Sequence, residues 1–347
     1  MKKYIVYSIL ASALLFSRCS TDLDVVGDYK ETMIVIGLLD QAQPKQYIKI
    51  TKAFLGEGDA VVYAGVKDST QFVHALSVQL QRYKNGNPVG AAIILNPDSS
   101  IPKDAGVFYS PDQTNAIYST TAPLFVDSEY HLTVRNNETG KEVTAVTSLI
   151  QDITGFSYPV PAGTSYSFVI IGPYPNYPFP ISWNSAAGAR MYQGLLRLNY
   201  IDSTLAGNDT NYVDYLLPEL RTDNSAAAPS EGMSYTAKGH DFYKYIGEHL
   251  SDYSGLIKRT ALKVDLRLYA GSDDLATFID VNKPSTGIIQ ERPEFTNIKG
   301  GLGIFTARLN RAPLSRPLDA ISLDSLACGQ FTHQLKFLNS AGSHPCF

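Results

Sequence analysis

Hydrophobic and polar positions alternate along much of this chain with a period of two. Residues 75–83, ALSVQLQRY, put Leu76, Val78 and Leu80 on one face and Ser77, Gln79 and Gln81 on the other, the pattern of a half-buried strand. Asn85-Gly86 comes next. That dipeptide favours the positive φ angles of a tight hairpin, so residues 89–95 are predicted to return beside the strand. The run QYIKITK at 46–52 also alternates, whereas MIVIGLL at 33–39 is apolar throughout and reads as a buried strand.

The most informative pair is SEYHLTVRNNETGKEVTAVTSLI, 128–150. Tyr130, Leu132 and Val134 alternate, Glu138-Thr-Gly-Lys141 turns the chain, and 143–149 comes back. A Tyr-x-Leu-x-Val strand late in about 100 residues resembles the late strand of fibronectin-like domains, where the tyrosine ties down a corner. An immunoglobulin-like β-sandwich is therefore predicted for residues 32–150. Prolines then crowd 156–180. They oppose both helix and central strand, which predicts a boundary followed by a stiff, extended loop. Beyond it the pattern mixes periods. Residues 181–183, 190–200 and 261–269 read as strands, with Trp183 in a core. In GHDFYKYIGEHL, 239–250, Phe242, Ile246 and Leu250 recur at helical spacing, flanked by Tyr243 and His249. Ser272 with Asp273 and Asp274 reads as the cap and acidic first turn of a short helix. The fold class predicted is mainly β: the sandwich, then a β-rich α+β region over 151–310 with one or two short helices, then a tail over 311–347.

The first residues follow a different logic. Met1-Lys2-Lys3 leads an apolar run from Tyr4 to Phe16, then Ser17-Arg18-Cys19. The run is shorter than the roughly 20 residues that span a bilayer, and has the layout of an export signal. With Cys19 at its end it resembles a bacterial lipoprotein signal. That resemblance implies cleavage before Cys19, a lipid on its thiol, and membrane attachment through two or three acyl chains. Arg18 departs from the small residue usual before the cysteine. Residues 1–18 are then a signal peptide and 19–31 a tether carrying Asp22 and Asp24.

Composition narrows the classes. The formal charge is −4; removing 1–18 takes away Lys2, Lys3 and Arg18 and no acid, leaving −7. Nucleic-acid binding, which needs clustered basic residues, is disfavoured. With 44% hydrophobic residues the chain can bury sizeable cores, and 22 tyrosines against one tryptophan fit a β-rich exported protein. After processing, Cys328 and Cys346 remain. Outside the cytosol they can bridge, and a loop of that size adds about 3 kcal/mol if unstrained. A metal pair, with His333 and His344 as the nearby candidates, and two free thiols are the alternatives.

TNIKGGLGIFTA at 296–307, after the helix-like DDLATFID, carries a further resemblance, together with Cys19, MIVIGLL, SEYHLTV, GHDFYKYIGEHL and the late Cys328 and Cys346. In this order they resemble a family of outer-membrane lipoproteins of the Bacteroidota, a domain of unknown function often encoded beside TonB-dependent receptors. The resemblance implies an outer-membrane location, on the periplasmic or cell-surface face, and a receptor as partner. It brings no catalytic residues; only the lipid-bearing role of Cys19 carries over.

Motifs for chemistry are sparse. Gly300-Gly-Leu-Gly303 lacks the following helix and Gly-Lys-Ser/Thr of a phosphate loop, so close backbone packing in a sheet is expected. No zinc-protease, nucleophile-elbow or calcium-loop pattern occurs, and no metal or cofactor is expected. Tyr174, Tyr177 and Phe179 stand on a proline-stiffened stretch suited to contact with a glycan, a peptide or a receptor, or else to covering the joint between the two regions. The function expected is non-catalytic binding or presentation, accessory to a TonB-dependent uptake system. Its rivals are a structural or adhesive surface protein and, further off, a surface hydrolase.

Overall fold

The alternating runs fold as strands, and the hydrophobic side of each faces a shared core. The computed structural model describes residues 31–53, 60–72, 74, 76–104, 106, 115–158, 165–168, 178–223, 231–284 and 294–343. In chain order the strands are β1 (Met33–Leu39), β2 (Gln46–Lys52), β3 (Ser77–Lys84), β4 (Asn87–Pro88), β5 (Ile93–Asp98), β6 (Ile117–Thr120), β7 (Glu129–Arg135) and β8 (Glu142–Ser148). They continue as β9 (Thr154–Tyr158), β10 (Pro178–Asn184), β11 (Met191–Thr204), β12 (Gly207–Leu216), β13 (Leu220–Arg221), β14 (Gly232–Lys238), β15 (Leu256–Gly271) and β16 (Leu302–Arg316). Helices are short: Ala60–Ala64, Lys67–Thr70, Gly239–His249, Asp273–Asn282 and Ala320–Cys328. The protein is mainly β with a large mixed sheet, as the sequence pattern predicts. Among the described residues no helix is long and apolar enough to cross a membrane.

The sheet runs β12-β11-β15-β16-β1-β2-β6-β5-β3-β7-β8, with β13 on β11 and β4 on β3. Every pair named in the register is antiparallel except β1 with β16, which is parallel from Ile34↔Leu302 to Leu39↔Ala307. β5 changes partners along its length: Ile93 to Leu95 pair with β3, and Asn96 to Asp98 with β6. The change of partner carries the sheet from β6 to β3, and Val35, Ile48, Ile50, Val78, Leu80, Leu132 and Val134 are buried in the core. Thr144 in β8 exchanges both backbone hydrogen bonds with Lys299, just before β16, so the β8 edge of the sheet meets the strand that flanks β1.

Local chemistry accounts for the joints. Asn85 and Gly86 have φ of 52° and 77°, the two positive values a two-residue hairpin turn needs. Tyr130 is buried and its hydroxyl accepts the backbone N–H of Phe125 at 2.7 Å, the corner predicted from SEYHLTV. The glycine run leads into a sheet: Gly300 and Gly301 turn the chain before β16, and Gly303, with φ +105°, lets β16 settle on β1.

The second half builds on the long antiparallel ladder of β11 with β15. Trp183 is buried between Tyr192 and Tyr235, with ring centroids at 5.6 and 5.3 Å. The 239–249 helix buries Phe242, Tyr243 and Ile246, and Ser272 caps the 273–282 helix through the N–H of Leu275 at 3.2 Å.

Three expectations are revised. Pro178 and Pro180 lie not in a loop but in β10, paired with β14 at Lys238 and Thr236. Among the described residues β9 joins β10 only from Ser182 onward, and a proline is tolerated where no ladder bond is asked of its nitrogen. Within the predicted tail, 311–347, the described residues include core elements: β16 runs on to Arg316, and the helix Ala320–Cys328 buries Ser322, Ser325, Leu326 and Ala327. Buried hydroxyls fix that helix. Ser322 Oγ accepts from Phe168 N at 2.7 Å, and Tyr243 OH donates to the Ser322 carbonyl at 2.9 Å. Finally, β1 is buried on only one face.

Candidate binding groove

β1 points Met33, Val35 and Leu39 into the core and Ile34, Ile36 and Leu38 the other way. The outward row is only partly covered; Ile36 keeps 43% of its surface exposed. Its neighbours across the ladder are Thr51 and Lys49 of β2, opposite Ile34 and Ile36, and Lys49 lies opposite Ile117 of β6. The 67–70 helix packs against β2, and Thr70 and Gln71 at its end edge a trough with an aliphatic floor.

Three contiguous hollows make up the trough. The central one, about 370 Å³, lies over Ile34, Ile36, Thr51 and Ala116 and is edged by Lys49, Lys52 and Lys103, with no carboxylate among the described residues of its lining. A second, about 280 Å³, shares Gln71 and Asn115 with it and reaches Lys67, His74 and Asp98. A third, about 200 Å³, shares Ile36 and Lys49 and reaches Asp40, Lys45 and Arg308. Among the described residues, lysine and arginine thus contribute six cations and aspartate two carboxylates, on a chain whose formal charge is −4.

Both carboxylates are already engaged. Asp98 meets Lys45 at 2.6 Å, and that bond, with others from Ser100 and Ser119, holds its carboxyl well below the usual range. Asp40 is buried, and burial pushes its carboxyl up against the opposing pull of the Ala42 and Asn310 amides and of Arg308. It accepts from Ala42 N at 3.0 Å and Asn310 N at 3.2 Å, and Arg308 Nε lies 3.8 Å away. Lys49 and Lys52 differ. Both are half-buried, and among the described residues neither side chain has a hydrogen bond or ion pair. Charge of one sign over an apolar floor is the arrangement of a site that orients an anion while burying its apolar part.

The other polar clusters have structural roles. Arg259 and Asp202 are both buried and meet at 2.8 Å; Arg259 also donates to the Leu335 and Ser251 carbonyls at 3.1 and 2.9 Å. This network ties the C-terminal segment to β15. Asp273 and Asp274 serve the helix start, where Asn297 Nδ2 donates to Asp274 at 2.8 Å. His240 sits beside Asp241 and Phe331, while His249 stacks on Tyr245. Among the described residues no three His, Cys, Asp or Glu side chains form a metal-ligating group.

No family model matches this chain. No curated protein matches it either. Among solved structures it is similar to the C-terminal globular domain of an oligosaccharyltransferase from Pyrococcus abyssi, at 9% identity and a TM-score of 0.23, covering 70% of this chain. The chain spans about half, 49%, of that structure's length. A likeness of this size bears on neither fold nor function.

Of the contact rings expected from the sequence, Phe179 is described. It is partly buried, with its ring 5.3 Å from Tyr166 and 4.6 Å from Phe168, so it belongs to the aromatic cluster that also holds Phe242. Tyr174 and Tyr177 lie outside the described residues, as do Cys19 and Cys346. Cys328 ends the 320–328 helix, half-buried. The groove was not anticipated. Its signal was present, however: an apolar run with no polar face, set beside a strand whose outward positions are Thr and Lys.

Proposed function

We propose that this chain is a lipid-anchored outer-membrane protein that binds or presents a ligand, without turning it over, for a TonB-dependent uptake receptor. The cysteine after the export signal and the resemblance to Bacteroidota lipoproteins support the location and the partner. The tyrosine corner at Tyr130 supports an immunoglobulin-like reading of the first sandwich. One observation carries the binding role: the cation-edged trough begins at Ile34, three residues after the end of the 19–31 tether. A ligand held there would stay near the point of attachment, within reach of a neighbouring receptor.

The experiment is affinity purification of the tagged full chain from solubilised membranes, with clickable palmitate labelling in parallel. Recovery of a β-barrel receptor and label lost in Cys19→Ser are the expected results. A soluble, unlabelled protein, or a membrane protein that brings down no barrel, would overturn the reading.

A further inference from the structure

We infer that the trough over β1 and β2 binds a single-chain amphipathic anion, an aliphatic body ending in a carboxylate; this rests on the binding role proposed above. The floor supplies the apolar half of the match through Ile34 and Ile36. Lys49 and Lys52 supply the other half. They are half-buried and have no partner among the described residues. Lys49 stands opposite Ile36 on the outward face and Lys52 at the strand end opposite Met33, and both edge the central hollow; a partly desolvated ammonium gains more from a carboxylate than it would in open water. The central volume of about 370 Å³ suits a small ligand, and the adjoining hollows extend it lengthwise along the sheet.

The topology weighs against a peptide strand as occupant. Such a strand binds by adding main-chain hydrogen bonds at a free sheet edge. β1 is already flanked by β16 and β2, and β2 by β1 and β6, so the trough offers a sheet face and no edge. A ligand with one end group and an aliphatic tail needs no edge.

The test is photo-crosslinking of the full chain, held in phosphatidylcholine nanodiscs, with a diazirine-bearing dodecanoate and a matched dodecyl-trimethylammonium probe. Saturable adducts should fall within residues 34–53 and 115–117 and be competed by plain dodecanoate. The cationic probe should label the same peptides at least about tenfold less. Reversal in a Lys49→Glu, Lys52→Glu double variant should lower labelling about tenfold, while Lys49→Arg with Lys52→Arg should retain it. A Lys49→Gln, Lys52→Gln pair covers misfolding of the reversed variant and should lose labelling severalfold. Equal labelling by both probes, adducts scattered over the chain, labelling untouched by the Gln or Glu pairs, or block by an acidic peptide in place of dodecanoate would overturn the inference. Specific labelling without a co-purified receptor would remove only the uptake role. A recovered receptor without labelling would remove only this ligand class.

Discussion

Gly303 passes so close to Val35 that a Cβ built on it would stand 2.0 Å from the Val35 carbonyl oxygen. Its φ of +105° is also a conformation that side chains rarely adopt. The contact is with backbone, which cannot rotate away. Gly303→Ala should therefore cost about 3 kcal/mol or more, read as a lower denaturant midpoint. Because the parallel β1–β16 pairing joins the two halves of the sheet, both should lose cooperativity together. An unchanged midpoint would mean that the strands do not lie in this register.

Tyr130→Phe isolates one hydroxyl. It leaves the packing of the ring intact and strands the Phe125 N–H, which now donates at 2.7 Å. Losing the bond of a partly buried donor costs about 0.5–1.5 kcal/mol. Equilibrium unfolding should show that loss, with hydrogen exchange at Phe125 speeding up before that of the β7 core.

Acid should weaken the second half through Asp265. Burial alone would raise its carboxyl, but hydrogen bonds from Ser315, Asn199 and Lys263 outweigh it and hold the carboxyl below its ordinary value. A group lowered in the folded state contributes stability above its unfolded pKa and loses it as pH falls through the folded one. Stability against pH, compared between the wild type and Asp265→Asn, should show a gap at neutral pH that closes below the usual carboxylate range. A gap that widens on acidification would reverse the sign assigned here.

Phe179→Ala tests which surface that ring serves. Packed against Tyr166 and Phe168, it should cost about 2–4 kcal/mol of stability on truncation. If stability holds and a membrane partner is lost instead, the ring belongs to an interface.

We propose that Cys328 pairs with Cys346 in exported protein. Non-reducing peptide mapping should recover the two joined, and reduction should loosen the segment after the 320–328 helix. Free thiols at both positions would refute the pairing.

Legibility followed the range of the interaction. The hairpin at Asn85-Gly86, the Tyr130 corner, the helix of Phe242 and Ile246 and the Ser272 cap each depend on residues within about ten positions, so their patterns appear directly in the sequence. The helix holding Ser322 was missed for the opposite reason. Its polar serines look solvent-bound until Phe168 and Tyr243, more than 70 positions away, arrive to bond them.

The groove belongs to the same distant class. Composition and alternation alone determined a mainly β protein and the direction of its core faces, since these follow from side-chain period and local backbone preference. Only the tertiary structure decided that β16 would return across some 270 positions to pair with β1, and that the outward isoleucines would share a hollow with Lys49 and Lys52, which meet no carboxylate among the described residues. Strand pairing and charge juxtaposition depend on which distant segments share an edge or a face. No local pattern encodes that choice, because it is made by the packing of the whole core.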